Sequence, residues 1–174
     1  MNRTTAGLAG LMAEAVEFGV RHVASGGLPF VGVLTDGDGY VSDFGVNEVR
    51  RTGDATAHAE IVAMRRAMHD RRARDVRGLR LLATGEPCGL CYRFAIDHRI
   101  ARIHVAVDAD TAAAHGFDYR HSYPAFGVDR ARLAGLVSPL PVARGLEPFE
   151  RFHRPHHSAP TPPAPPEHTK GTPS

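Results

Sequence analysis

Leu79-Arg80-Leu81-Leu82-Ala83-Thr84-Gly85-Glu86-Pro87-Cys88-Gly89-Leu90-Cys91 is the stretch that decides the architecture. Its first five residues, apolar except for Arg80, read as a short buried strand. Pro87 suits the start of a helix, where the N–H that proline lacks has no intrahelical partner. The pattern from Cys88 to Asp97 continues as that helix, and Arg102-Ile103-His104-Val105-Ala106-Val107 reads as the next strand. Strands joined through a helical crossover lie parallel, so the chain is α/β.

On the N-terminal side, residues 5–25 place Leu8, Leu11, Met12, Ala15, Val16, Gly19, Val20 and Val23 at helical spacing, ending at Gly26-Gly27. Residues 29–34 and 40–46 flank Asp36-Gly37-Asp38-Gly39 and read as a hairpin. A phosphate-cradling loop is the rival reading for those glycines, but strands flank them and no helix follows. Residues 57–68 are expected to be helical, with Ile61, Met64 and Met68 on one face. On the C-terminal side, residues 109–115 read as a short helix, the following stretch as irregular, and 146–154 as a last helical segment. Helix, hairpin, helix, strand, helix, strand, helix is the order of a three-layer α/β domain around a mixed sheet.

The boundary is drawn at residue 152, with one folded domain over 1–152 and a Pro/His-rich tail over 153–174. The tail holds seven of the chain's thirteen prolines and no aliphatic residue larger than alanine, so it is expected to be disordered. Its His153, His156 and His157 read as solvated rather than as metal ligands.

A length of 174 residues fits one domain with a real core. No apolar run approaches the roughly 18 residues of a membrane helix, and Met1 to Gly10 lacks a secretory pattern. A cytoplasmic protein without a membrane partner is the expectation. The formal charge of +2 is too small to argue for a nucleic-acid partner. Arg71, Arg72 and Arg74 form the densest basic cluster and read as a solvated turn.

The only two cysteines, Cys88 and Cys91, are a redox pair or two metal thiolates. A redox C-x-x-C follows a strand in a thioredoxin-like unit, and Glu86-Pro87 before this one argues against that. Cys88 and Cys91 stand i, i+3 on one helix face, where the unpaired N–H groups of a helix start lower thiol pKa values. Thr56-Ala57-His58-Ala59-Glu60 opens the other helix, and its His58 supplies a third ligand. One imidazole and two thiolates with a fourth position free suit catalytic Zn2+. In a helix interior His58 and Glu60 would diverge by roughly 200°; the looser first turn is expected to let Glu60 reach the fourth position. There a carboxylate can take a proton from an activated water and return it to substrate. A structural zinc module is the rival reading, and it needs no such carboxylate.

His58-Ala59-Glu60 with Pro87-Cys88-x-x-Cys91 resembles the zinc signature of the cytidine and deoxycytidylate deaminases. Pro29-Phe30, Asn47, Gly116-Phe117-Asp118 and residues 146–152 are similar to their counterparts in bacterial guanine deaminases. That resemblance implies a cytidine-deaminase-like fold with a five-stranded mixed sheet flanked by helices, a homodimer, and hydrolytic deamination of a free nucleobase with release of ammonia. It implies that Asn47 hydrogen-bonds the base, Phe30 lines the pocket, the Ala59 N–H reaches a ring carbonyl, Asp118 and Tyr119 stand at the base-reading position, and the Phe149 segment closes the site as a lid. Alternatives are cytosine, a modified pyrimidine, an amino-triazine or a nucleoside as substrate, and adenosine in tRNA. The chain departs from the family at Tyr119, where a second acid is usual, at Val31, at Thr84-Gly85 and at Asp97, all expected near the pocket.

Overall fold

Successive side chains of a strand point to opposite faces of its sheet, and in β3 (Arg80–Gly85) both faces are covered. Leu81 belongs to one cluster with Ile61, Met64 and Tyr92, while Leu82 belongs to another with Met12 and Ala15. A strand buried on both faces is the centre of a layered α/β domain. The computed structural model, which describes residues 3–153, shows a five-stranded sheet in the order β2-β1-β3-β4-β5.

β1 (Val31–Thr35) runs antiparallel to both β2 (Gly45–Val46) and β3. β4 (Arg102–Val107) and β5 (Val137–Pro139) continue parallel to β3. α1 (Arg3–Ala24) lies on the Leu82 face, and α3 (Ala59–Asp70) and α4 (Gly89–Asp97) lie on the Leu81 face. β4 alternates half-buried with buried residues, the pattern of a strand covered well on one side only. α7 (Glu147–His153) packs along α1 and buries Phe149 completely.

The expected three-layer α/β class and mixed sheet are observed, and the differences have local causes. The second hairpin strand, expected over 40–46, is reduced to Gly45–Val46 and a single Val41–Thr35 bridge. Ser42 breaks it, because its hydroxyl accepts the Leu34 N–H at 2.9 Å in place of a ladder carbonyl. The turn itself is as expected: Asp36 Oδ1 accepts the N–H groups of Asp38 and Tyr40 at 2.8 and 3.0 Å.

The stretch expected to be irregular contains α6 (Ser122–Ala125), a 3-10 turn (Arg130–Leu133) and β5. These elements have three or four residues each, too few to show a period. β5 also ends in Pro139, which an edge strand tolerates. α2 (Val49–Thr52) is a further single turn not anticipated, while α5 (Ala109–Ala114) was. α7 runs through His153, whose ring packs on Phe117 at 5.4 Å, so the boundary at 152 cuts a helix. Residues 154–174, with the rest of the expected tail and its His156 and His157, lie outside the described residues.

Two glycines seat the start of α3 on the sheet. Gly32 and Gly45 face each other across β1 and β2. A Cβ on Gly45 would lie 2.2 Å from the Ala59 carbonyl oxygen, and one on Gly32 would lie 3.0 Å from Glu60 Cα. Gly45→Ala is therefore expected to destabilise the protein by about 1–3 kcal/mol through overpacking against backbone that cannot yield. Gly10→Ala, at an exposed site in α1 with nothing within 4 Å of the new methyl, should stabilise by about 0.5–1 kcal/mol. Paired thermal unfolding of the two variants checks both signs.

Candidate metal and catalytic site

The N-termini of α3 and α4 converge at the β3 end of the sheet. His58 caps α3 with extended backbone, φ −72° and ψ 158°, and its side chain makes no bond to its own helix. Cys88 does the same for α4, with φ −70° and ψ 173°. Both are cap residues rather than first-turn residues, and Pro87 stands one place before the cap. The offset explains how two residues spaced to diverge can meet. His58 lies outside the helix that carries Glu60, so the interior angle does not apply to the pair.

His58 Nδ1 lies 3.4 Å from Cys88 Sγ and 3.6 Å from Cys91 Sγ, and the two sulfurs are 3.7 Å apart. Tetrahedral zinc with bonds of about 2.3 Å to sulfur and about 2.0–2.1 Å to nitrogen requires S···N edges of about 3.6 Å and an S···S edge of about 3.8 Å. The three donors fit that triangle. They are also the one group of three or more potential metal ligands among the described residues. Glu60 Oε2 accepts from Cys91 Sγ at 3.3 Å, which sets the carboxylate beside the triangle.

Electrostatics at the site follow from burial and thiolate charge. A hydrogen bond with Cys91, aided by the imidazole of His58, holds the Cys88 thiol down at about 4. Burial pushes the Cys91 thiol well up, so its ionisation needs a cation at hand. The Cys88 partner raises His58. Burial, and then the charge of Cys88, push Glu60 up to about 7, where a carboxyl can both take and give a proton near neutrality.

A cavity of about 120 Å³ opens on these groups. His58, Glu60 and Cys88 line it, together with Phe30, Asn47, Ala59 and Tyr119. Asn47 Oδ1 accepts the Val49 N–H at 3.2 Å. The Tyr119 phenol donates to the Glu86 carbonyl at 2.6 Å, which leaves its ring as wall. The other two expected substrate contacts do not line the cavity. Asp118 is exposed and bound to Arg120 at 2.7 Å, which holds it at about 2. Phe149 is buried behind Phe30, edge to face at 5.3 Å between centroids.

The departures sort in the same way. Asp97 is exposed and paired with Arg93 at the far end of α4, away from the cavity, because it is the last of that helix's nine residues. Val31 is core. Thr84 is buried, accepts the Val31 N–H at 2.9 Å and donates to the Pro29 carbonyl at 3.1 Å. These bonds fix the loop that carries Phe30. A Cβ on Gly85 would come within 2.7 Å of the Phe30 ring. Leu28 and Glu86 also line the cavity and carry no expected role; Glu86 was legible as a motif residue, and Leu28 gave no signal.

A family model described as the cytidine and deoxycytidylate deaminase zinc-binding region matches residues 8–107. Guanine deaminase of Bacillus subtilis is 32% identical over 108 residues, which are 62% of this chain and 65% of that one. tRNA(Ile)-lysidine synthase of Deinococcus radiodurans is 32% identical over 92 residues, which are 53% of this chain and 16% of that one. The chain therefore spans less than two thirds of either curated relative. The solved structure of guanine deaminase from Nitrosomonas europaea superposes with a TM-score of 0.64 at 22% identity, covering 81% of each chain, which bears on the fold.

The purified protein should carry one zinc per chain by elemental analysis. Cys88→Ser and His58→Ala should each lose most of it. Tyr40→Phe, whose hydroxyl bonds Asp70 on the surface, should keep it.

Proposed function

This chain belongs to the cytidine and deoxycytidylate deaminase zinc-binding family, and from that premise we propose that it deaminates a free nucleobase or a related amino-heterocycle by hydrolysis, releasing ammonia. The observation that carries the proposal is Glu60. A buried carboxylate beside a three-ligand triangle, lining a small cavity, is superfluous in a structural zinc module and required for proton transfer.

His58, Cys88 and Cys91 would hold the zinc, which when bound lowers the pKa of a water and so makes it a nucleophile near neutral pH. Glu60 receives a proton from the attacking water and delivers it to a ring nitrogen. It then takes the second proton from the oxygen newly bound to the ring carbon and gives it to the amino group, which leaves as ammonia while the C=O bond forms, so one water is consumed per amine released. The Asn47 side-chain amide and the Ala59 N–H, which is the first of α3 and lacks an intrahelical partner, supply hydrogen bonds to acceptors on the ring. Phe30 and Tyr119, edge to face at 5.9 Å between centroids, form an aromatic wall against which the ring packs. Buried apolar walls strengthen these few polar contacts by excluding water.

Guanine or a close analogue is the proposed substrate, supported by the relatives named above. The Tyr119 ring stands where the family carries a carboxylate, which widens the class to cytosine, modified pyrimidines and amino-triazines. The lysidine-synthase match favours one second reading, a deaminase acting on tRNA. The proposal extends, on the family resemblance, to a homodimer acting in the cytoplasm. Among the described residues, no helix is long and apolar enough to cross a membrane.

An ammonia-release screen over guanine, adenine, cytosine, their nucleosides and amino-triazines should find turnover of a free heterocycle. Turnover of nucleosides alone, or tight tRNA binding at physiological salt, would overturn the substrate class. Glu60→Gln should keep its zinc and lose roughly 10³-fold in kcat, the span of general acid–base catalysis. Substantial residual activity in that variant contradicts the proton-transfer role.

A further inference from the structure

The turn that delivers Cys88 is tied down by a part of the chain that contributes no ligand. Glu86 stands two residues before Cys88, and its side chain is only 9% exposed. Its carboxylate accepts four donors: the Tyr92 hydroxyl at 3.1 Å, the Ala109 N–H at 2.7 Å, and Arg130 Nε and Nη2 at 3.0 and 2.9 Å. The backbone of the same turn is held as well. The Glu86 carbonyl accepts the Tyr119 hydroxyl at 2.6 Å, the Pro87 carbonyl accepts the Tyr123 hydroxyl at 3.1 Å, and the Gly89 N–H donates to Ser122 Oγ at 2.8 Å. Tyr119, Ser122, Tyr123 and Arg130 all come from the stretch between α5 and β5.

Arg130 is the only cation bonded to the buried carboxylate among the described residues, and it meets that group at two points. Its guanidinium also lies over the Tyr123 ring, 5.2 Å from the centroid, so one side chain braces two of the fastening groups. Planar two-point recognition of a carboxylate fixes orientation as well as charge. Removing one partner of such a pair leaves a buried charge uncompensated, and the carboxylate must move toward water. The residue that moves is joined through Pro87 to a metal ligand. A ligand set holds its ion only while its members stay within about 0.5 Å of the required geometry.

We propose that Arg130 is a positioning residue for the zinc site, acting through Glu86 to hold the Cys88 turn in register with His58 and Cys91. The inference rests on the zinc-deaminase reading of the site. It goes beyond that reading by giving Ser122, Tyr123 and Arg130, none of which lines the cavity, a role in metal retention.

The test is competition for zinc between the full-length protein and a chromogenic chelator, run beside kcat and thermal unfolding. Arg130→Ala should weaken zinc binding by about 10- to 100-fold, the range for a lost partner behind a ligand, with kcat falling at saturating zinc. Arg130→Lys keeps the charge without the two-point bond and should show a smaller loss in the same direction. It carries the test if Arg130→Ala does not fold. In a cycle of Arg130→Met, Glu86→Gln and the double variant, the losses should be less than additive, because the two residues act as one unit. Arg144→Ala removes the exposed bonds to Glu17 and Glu147; it should change unfolding at most and leave zinc affinity unmoved. Wild-type zinc affinity in both Arg130→Ala and Arg130→Lys overturns the proposal, as does additivity in the double variant. If the wild-type protein itself binds no zinc, the reading of the site fails instead.

Discussion

Two helix N-termini have to reach one point, and most of the structure can be understood as the means of bringing them there. α3 and α4 present His58 and Cys88 as extended cap residues whose side chains leave their own helices unbonded. Free helix starts favour negative charge through unpaired N–H groups, so the thiolates and the Glu60 carboxylate are placed where the backbone helps them. The Gly32–Gly45 pair lets α3 descend onto the sheet to the depth this meeting requires. The order β2-β1-β3-β4-β5 puts β3, which feeds directly into α4, in the middle.

Around that meeting point the walls divide the labour. Phe30, anchored by Thr84 and backed by Phe149, gives a rigid apolar side. Tyr119 gives another, with its hydroxyl spent on the Glu86 carbonyl. Asn47 and the first N–H of α3 remain as donors. On the proposed reading, these walls and donors suit a flat ring that carries hydrogen-bond acceptors. Tyr119 lines the cavity, while its neighbour Asp118 meets Arg120 in solvent.

How much of this was legible in the sequence depended on the range of the interaction. The ligands were legible because their chemistry is local: Cys88 and Cys91 share a face at i, i+3, and His58 and Glu60 are two residues apart. The long elements were legible for the same reason, since α1, α3, α4 and β4 each carry a full period. The Ser42 break was not, because it depends on a hydroxyl reaching Leu34 across the turn. Nor was the support of the Cys88 turn, where Arg130 meets Glu86 across 44 positions and Tyr119 reaches it across 33. α6 and β5 have no period to read and exist through such contacts. The resemblance to guanine deaminases supplied the fifth strand that periodicity left out. It also pointed to Asp118 and Phe149, which the structure places outside the cavity lining.

Everything in the catalytic reading follows from a zinc held by one imidazole and two thiolates, with one position left for chemistry. X-ray absorption at the zinc edge of the purified protein measures that ligand set directly. Two sulfurs at about 2.3 Å and two light atoms at about 2.0–2.1 Å are the expected shell. A shell with one sulfur or none, or six light atoms, would contradict it.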